Sequence, residues 1–333
     1  MFENKKTKLF DDVLEISDFI SKYEDIEPNW LVPDVLETGT INMICADGGK
    51  GKTWLLLDLY KALSSNKCWL NHFELPMMKT LYIDRDMSPT ILSRRLLKLN
   101  DKANYENSLL SRTKIDLSNP DNVDDFISFI KENKFEVIMI DALYKITGNF
   151  KENDNDDMAI VMSIFDQIRE LQFTVNDKVI NPTIFIIHHS SKSSNQFGSD
   201  VVIRGASSIK NGCDNVFTID CNSDKSKYTL RSLKLRESDG SELKLDYCFV
   251  MQDENIYLDL LDSSISNKFK EDALKERILN IFEDGMNQTI IRRELRENDV
   301  IFDDKLLKTV LENMSEIKCV KGPRNSNVYY LNG

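Results

Sequence analysis

The sequence predicts an α/β protein with a mainly parallel central sheet, an antiparallel extension and a small C-terminal domain of helices and a hairpin. Three observations lead to this. Short apolar runs rich in β-branched residues recur between Ile41 and Ile219 without strand-like alternation, which suits strands covered on both faces. Longer amphipathic segments separate them, as helices between parallel strands would. After Ile219 the pattern turns to short alternating segments with turn residues between, the sign of antiparallel hairpins.

The elements follow in order. Residues 1–28 are polar and charged, with a weak helical pattern around Val13–Tyr23, and read as an N-terminal arm or short packed helix. Strands are expected at Ile41–Cys45, Thr80–Asp84, Val137–Ile140, Thr183–His188 and Val216–Ile219. Helices are expected at Thr53–Ser64, Pro89–Leu99, Val123–Glu132 and Asp157–Glu170. The hairpin region comprises Tyr228–Arg236, Glu242–Met251 and Asn255–Leu260, with SDGS at 238–241 as a turn. The polar, Ser-rich stretch Leu261–Asn267 reads as a linker. Beyond it, helices at Asp272–Phe282, Gln288–Glu297 and Asp303–Met314 precede alternating segments Ile317–Lys321 and Asn327–Leu331 around GPRNS. Three short helices and then a hairpin is the order of a winged helix. The expected division is an arm at 1–28, the α/β domain at 29–262 and the winged-helix domain at 263–333.

Composition bounds the function. The chain has 333 residues, 41% hydrophobic and 29% charged, which supports a sizeable core and excludes wholesale disorder. A net charge of −12 argues against a protein that coats duplex DNA or an anionic membrane through a basic surface. Residues 267–333 hold 12 basic and 12 acidic side chains, so the acidity belongs to the first 266 residues. Six cysteines without CxxC spacing and three histidines make a structural zinc site or a disulfide framework an unexpected reading. Reduced thiols, an N-terminus without an apolar signal core and the lack of any ~18-residue apolar stretch predict a cytoplasmic protein with no membrane partner.

Residues 46–53 read Ala-Asp-Gly-Gly-Lys-Gly-Lys-Thr, which is GxxxxGK[ST] with Ala46 in place of the first glycine. A strand precedes it and an apolar helix follows, the context a phosphate-binding loop needs. Gly48, Gly49 and Gly51 let backbone N–H groups converge on phosphate oxygens, and the helix N-terminus adds its dipole. Lys52 would reach the β- and γ-phosphates, and Thr53 would ligate Mg²⁺. Ala46, Asp47, Lys50 and Trp54 complete the expected nucleotide-binding stretch. The second metal-side group is Asp141, which ends the apolar strand FEVIMID and would polarise a water on the metal. ATP and Mg²⁺ are the expected cofactors.

Four further features narrow the reading. Asp84 and Asp86 follow the strand after the P-loop helix, and His188 and His189 end another strand, with Lys192 just after. The segment VIRGASSI comes next, leading to Asp214 and a strand. Lys234 and Arg236 form a KxR element at a later strand end. With these, the stretch from about Trp30 to Leu260 resembles the RecA-fold ATPases, in particular the hexameric RepA-type replicative helicases of plasmids and phages. That resemblance implies that a glutamate at the end of the second strand activates the attacking water, where this sequence has the shorter aspartate. Asp86 falls there, with Asp84 two residues away, and Asp86 also stands where it could cap the helix opened by Ser88-Pro89. The resemblance further implies that His189 senses the γ-phosphate and that Lys234 and Arg236 are donated to the neighbouring subunit's nucleotide. The alternative reading of Lys234 and Arg236 is the solvated outer face of an antiparallel strand.

Single-stranded DNA would pass the centre of such a ring, met by loops after the third and fourth strands. Gly148–Asp157 is acidic and a poor cradle. Ser190–Arg204 offers Lys192 and Arg204, with Phe197 available to stack on a base. In the C-terminal domain, Lys318, Lys321 and Arg324 lie on or beside the hairpin tip and would meet DNA or a replication protein. The expected function is an oligomeric, hexameric, DNA-dependent ATPase or helicase in replication of a plasmid, phage or mobile element. The alternative is an ATP-switched binding protein that recruits DNA or a partner without unwinding.

Overall fold

The computed structural model describes residues 14–24, 29–32, 35–65, 67–99, 105, 107–175, 178–189, 207–236, 243–265, 274–275, 277–298, 300, 304–322 and 327–331. Two short strands, β1 (Trp30–Val32) and β2 (Leu36–Glu37), pair antiparallel ahead of the main sheet. The main sheet is built from β3 (Ile41–Ala46), β4 (Thr80–Asp84), β5 (Ser108–Ser111), β6 (Val137–Asp141), β9 (Thr183–His189), β10 (Asn215–Cys221), β11 (Tyr228–Lys234), β12 (Leu243–Gln252) and β13 (Asn255–Ile265). A small antiparallel hairpin of β7 (Phe173–Val175) and β8 (Lys178–Ile180) stands apart from it.

The nine strands run in the order β13-β12-β11-β10-β3-β9-β6-β4-β5. From β10 to β5 every neighbour pairs parallel. From β10 to β13 every neighbour pairs antiparallel. This is the expected α/β architecture, a mainly parallel central sheet with an antiparallel margin.

The continuous apolar runs are explained by two cores, one on each face. In β3, Ile41 and Met43 join one cluster while Ile44 and Ala46 join the other. The same two-residue alternation holds in β6 and β9, with Ile138, Ile140, Ile184 and Ile186 on one side and Val137, Met139, Phe185 and Ile187 on the other. Helices α2 (Lys52–Ser64) and α3 (Pro89–Leu99) cover the first face. Helices α4 (Pro120–Asn133), α5 (Asn155–Arg169) and α6 (Ser207–Gly212) cover the second. α5 buries Met158, Val161, Met162, Ile164, Phe165 and Ile168, each worth roughly 1.5–3 kcal/mol of transfer free energy before ordering costs.

Helix starts are set by side-chain caps. Asn119 accepts from the N–H groups of Asp121 and Asn122, with Pro120 at the first helical position of α4. Asp154 does the same for α5. Ser88 Oγ accepts from Ile91 N–H at the start of α3, so Ser88, not Asp86, is placed as the cap there.

Residues 261–265 of the expected linker Leu261–Asn267 are strand, and 266–267 lie outside the described residues. β13 continues to Ile265, which pairs with Leu243, and a bulge between Asp246 and Tyr247 accommodates the polar end. Backbone pairing along a long hairpin overrides the serines. An N-terminal helix, α1 (Ile16–Tyr23), occupies part of the expected arm, with Ile16 and Ile20 exposed. The SDGS turn lies outside the described residues.

Toward the C-terminus, residues 274–275 and 277–281 are helical. Met286–Asn287, the helix Gln288–Glu297, the helix Asp304–Asn313 and the strands Ile317–Lys321 and Asn327–Leu331 follow. The three strands pair in the order first-third-second. Ile278, Ile291, Leu295 and Leu307 form a separate apolar core with Val310 and Tyr329. The two-residue strand Met286–Asn287 escaped the sequence reading, being too short to show a period.

Candidate active site

The parallel half of the sheet presents the C-terminal ends of β3, β6 and β9 on one edge. Their terminal residues Ala46, Asp141 and His189 therefore come together. The loop from Asp47 to Gly51 turns directly from β3 into α2. Gly51 caps α2 in the left-handed region at φ +84°, where a Cβ would be strained and would also touch the ring of Phe249. The cleft above the loop has a volume of about 550 Å³.

Gly48, Gly49, Lys50, Gly51, Lys52, Thr53 and Trp54 all line this cleft. Ala46 is buried and Asp47 lies beyond the lining; both turn their carbonyls toward Lys52, whose ammonium donates to them. The Lys52 side chain is 6% exposed. Burial lowers its pKa, while Cys45, Asp141, Asp47 and Asp86 act to raise it. Lys50 reaches the other way and donates to Cys221 Sγ at 3.4 Å.

Asp141 is 1% exposed at the end of β6. Burial pushes its carboxyl up to about 6, hydrogen bonding from Thr53 and Tyr82 pulls it down, and the charges of Asp84 and Asp86 push it further up. Tyr82 donates to Asp141 Oδ2 at 3.1 Å. Thr53 and Asp141 thus sit together as oxygen donors. A buried carboxylate beside a hydroxyl is an all-oxygen set that fits Mg²⁺.

Asp84 and Asp86 separate clearly. Asp84 is fully buried, forms an ion pair with Arg112 and accepts from Met87 N–H. Arg112 also donates to the Met87 carbonyl at 2.6 Å. Asp84 and Arg112 therefore staple the turn that follows β4. Asp86, on that turn, is exposed and lines the cleft opposite Asp141 and His189. The Tyr144 hydroxyl donates to Asp86 Oδ1.

His189 faces the cleft, and its pKa is lowered by burial and by Lys52. His188, one residue earlier in the alternating strand, is buried with Nδ1 3.9 Å from Glu152. The strand period thus sends one histidine to the cleft and the other into the protein.

Lys234 and Arg236 are not brought to this cleft. Lys234 ends β11 and Arg236 follows two residues later; β11 runs opposite to β10 and so returns to the far end of the sheet. Lys234 donates to the Asn211 and Cys213 carbonyls at the end of α6. Arg236 pairs with Asp214, which also binds Arg169 and the Ile41 N–H. Lys192, Phe197 and Arg204 lie outside the described residues, as does Arg324. Lys318 and Lys321 are exposed on the C-terminal hairpin, where Lys321 donates to Asn327.

The sequence reading missed the apolar wall of the cleft. Tyr228, Phe249, Met251 and Ile256 line it from the antiparallel margin, opposite Trp54 and Arg95. Phe249 meets Trp54 edge-on at 6.3 Å and Tyr228 at 4.8 Å, and the Arg95 guanidinium lies 5.1 Å over Trp54. Nothing local to β11–β13 marks these residues for a ligand; only the sheet order brings them over the loop.

A family model described as an AAA domain matches residues 4–195. Among solved structures, a KaiC-like protein from the hyperthermophilic archaeon Pyrococcus horikoshii OT3 aligns at 13% identity and a TM-score of 0.42, over 68% of this chain and 93% of that one. No curated protein matches the sequence. Among the described residues, no helix is long and apolar enough to cross a membrane.

Proposed function

The chain belongs to the AAA domain family, and from that premise we propose that it is an oligomeric, hexameric ATPase driven by single-stranded DNA, a replicative helicase of a plasmid, phage or mobile element. The observation that supports this best is a division of the machinery. Lys52, Thr53, Asp86, Asp141 and His189 meet in one cleft, whereas Lys234 and Arg236 stand at the opposite end of the same sheet. Cations placed there suit a neighbouring subunit's nucleotide.

In this reading Lys52 and the loop amides bind the phosphates, and Thr53 and Asp141 hold Mg²⁺. Bound ATP–Mg²⁺ supplies the scissile phosphoanhydride and neutralises charge on its oxygens. Asp86 orients the attacking water. His189 registers the γ-phosphate. Trp54, Tyr228 and Phe249 form one aromatic wall for the base to pack against, which the sequence alone left without a reader. Lys234 and Arg236 exchange their present partners for the next subunit's phosphates. The C-terminal helices and hairpin act as a winged helix, with Lys318, Lys321 and Arg324 toward DNA or a replication protein. Lys192, Phe197 and Arg204 contact the strand in the ring.

The test is steady-state ATPase activity with and without single-stranded DNA. Wild type is expected to be stimulated. Lys52→Ala and Arg236→Ala should each lose roughly 10³-fold in turnover. Turnover indifferent to DNA would argue against translocation, and normal hydrolysis by Arg236→Ala would remove the subunit-crossing role.

One observation favours the ATP-switched binding protein as a second reading. The Gly148–Asp157 loop spends its groups internally: Phe150 packs on the core, and Asp157 accepts from Lys151 N–H at 2.8 Å. Stimulated hydrolysis without strand separation in an unwinding assay would select that reading.

A further inference from the structure

The segment that follows Asp141 carries a residue with no role assigned so far. Tyr144 lies in a single 3-10 turn, Leu143–Lys145, directly after β6. Its hydroxyl donates to Asp86 Oδ1. Its ring packs against the apolar core of the nucleotide side, 5.5 Å from the His189 ring and 4.7 Å from the Lys145 ammonium. Among the described residues, Tyr144 is the side chain hydrogen-bonded to the Asp86 carboxylate.

We infer that Tyr144 is the positioning residue for Asp86, fixing the orientation of a short, exposed carboxylate on a turn so that its second oxygen faces the attacking water. This rests on the reading of Asp86 as the water-orienting group. The need is physical. An aspartate has two rotatable bonds and sits on no helix or strand here. A group that aligns water for attack must hold its geometry to about half an ångström. The Asp84–Arg112 staple fixes the backbone of the turn but not the Asp86 side chain. A donor on a packed aromatic ring supplies the missing constraint: it occupies Oδ1 and leaves Oδ2 to accept from water. Tyr144 also remains a donor across the physiological range, because burial and the hydrogen bond to Asp86 hold its pKa well above the usual phenol value. Contact with His189 joins the same ring to the strand that ends beside the cleft.

The experiment compares wild type, Tyr144→Phe, Asp86→Asn and the double variant, using the full chain. Phenylalanine keeps the ring and removes only the donor. Tyr144→Phe is expected to lower kcat roughly 10–100-fold with KM for ATP and affinity for ADP within about twofold. In the Asp86→Asn background the same change should cost nothing further, since the two groups act as a unit. Wild-type kcat in Tyr144→Phe, a parallel rise in KM, or an equal loss in both backgrounds would each overturn the inference. An active Asp86→Asn would instead overturn the water-orienting reading itself, and the inference with it.

Discussion

Asp141 shows what a buried carboxyl at the rim of a cleft costs its own protein. Its ordinary carboxyl value is 3.8, and burial moves it to about 6 in the folded chain. Between those values the folded state binds more protons than the unfolded state, so stability is fully present below about 4 and declines as pH rises through 6. Lys52 faces it with the opposite charge but is itself desolvated. Asp141→Asn is therefore expected to abolish hydrolysis and yet raise the melting temperature of the nucleotide-free protein at pH 8, with a smaller gain at pH 5. Thermal melts at the two pH values check this; equal or lowered melting points would refute it. At this scale the sequence was partly legible. The P-loop residues and Asp141 carry their own local context. Asp84 and Asp86 did not, because two carboxylates one strand period apart differ only in what turns toward them, and Arg112 comes from a different element.

The turn between β6 and α5 matters at the scale of elements, because it carries Tyr144 and then leads to Gly148. Gly148 adopts φ +64°, and a Cβ there would overlap Asp116 Oδ1 and sit 2.6 Å from Ser118 Oγ. These two residues belong to the segment before α4, which accepts from Asn149 N–H through Ser118 and donates from Leu117 N–H to the Ile146 carbonyl. Two crossover connections are thus sewn together at one glycine. Gly148→Ala is expected to destabilise the protein by roughly 2–4 kcal/mol, through backbone strain and overlap together. Chemical denaturation measures it, and a loss below about 0.5 kcal/mol would show that the two segments separate freely. Strands buried on both faces were readable as apolar runs, and their helices as amphipathic ones. β5, with only its ends half-covered and Leu109 and Leu110 exposed, offered no such contrast. Nor did the β7–β8 hairpin, whose three-residue strands are too short for a period.

For the whole molecule, charge distribution sets the expectation. The chain carries −12, and its C-terminal residues 267–333 are balanced. Contact with single-stranded DNA through Lys192, Arg204, Lys318, Lys321 and Arg324 would give a shallow salt dependence, at about −0.7 per phosphate neutralised and no steeper than about −4 per subunit. Binding titrations across a salt series check this, and a much steeper slope would mean that a further basic surface takes part. The overall architecture was legible because parallel strands announce themselves one by one. The composition of the cleft was not, because its walls come from distant stretches that meet only in three dimensions. Tyr228, Phe249 and Ile256 belong to the sheet's antiparallel margin, yet they close the space above a loop at residues 46–53. That arrangement dictates an order of events at the ribosome. The phosphate loop is synthesised early, and the aromatic wall emerges only after the six parallel strands have left the exit tunnel. A ligand above the loop therefore meets its full enclosure only once the antiparallel margin has joined the sheet.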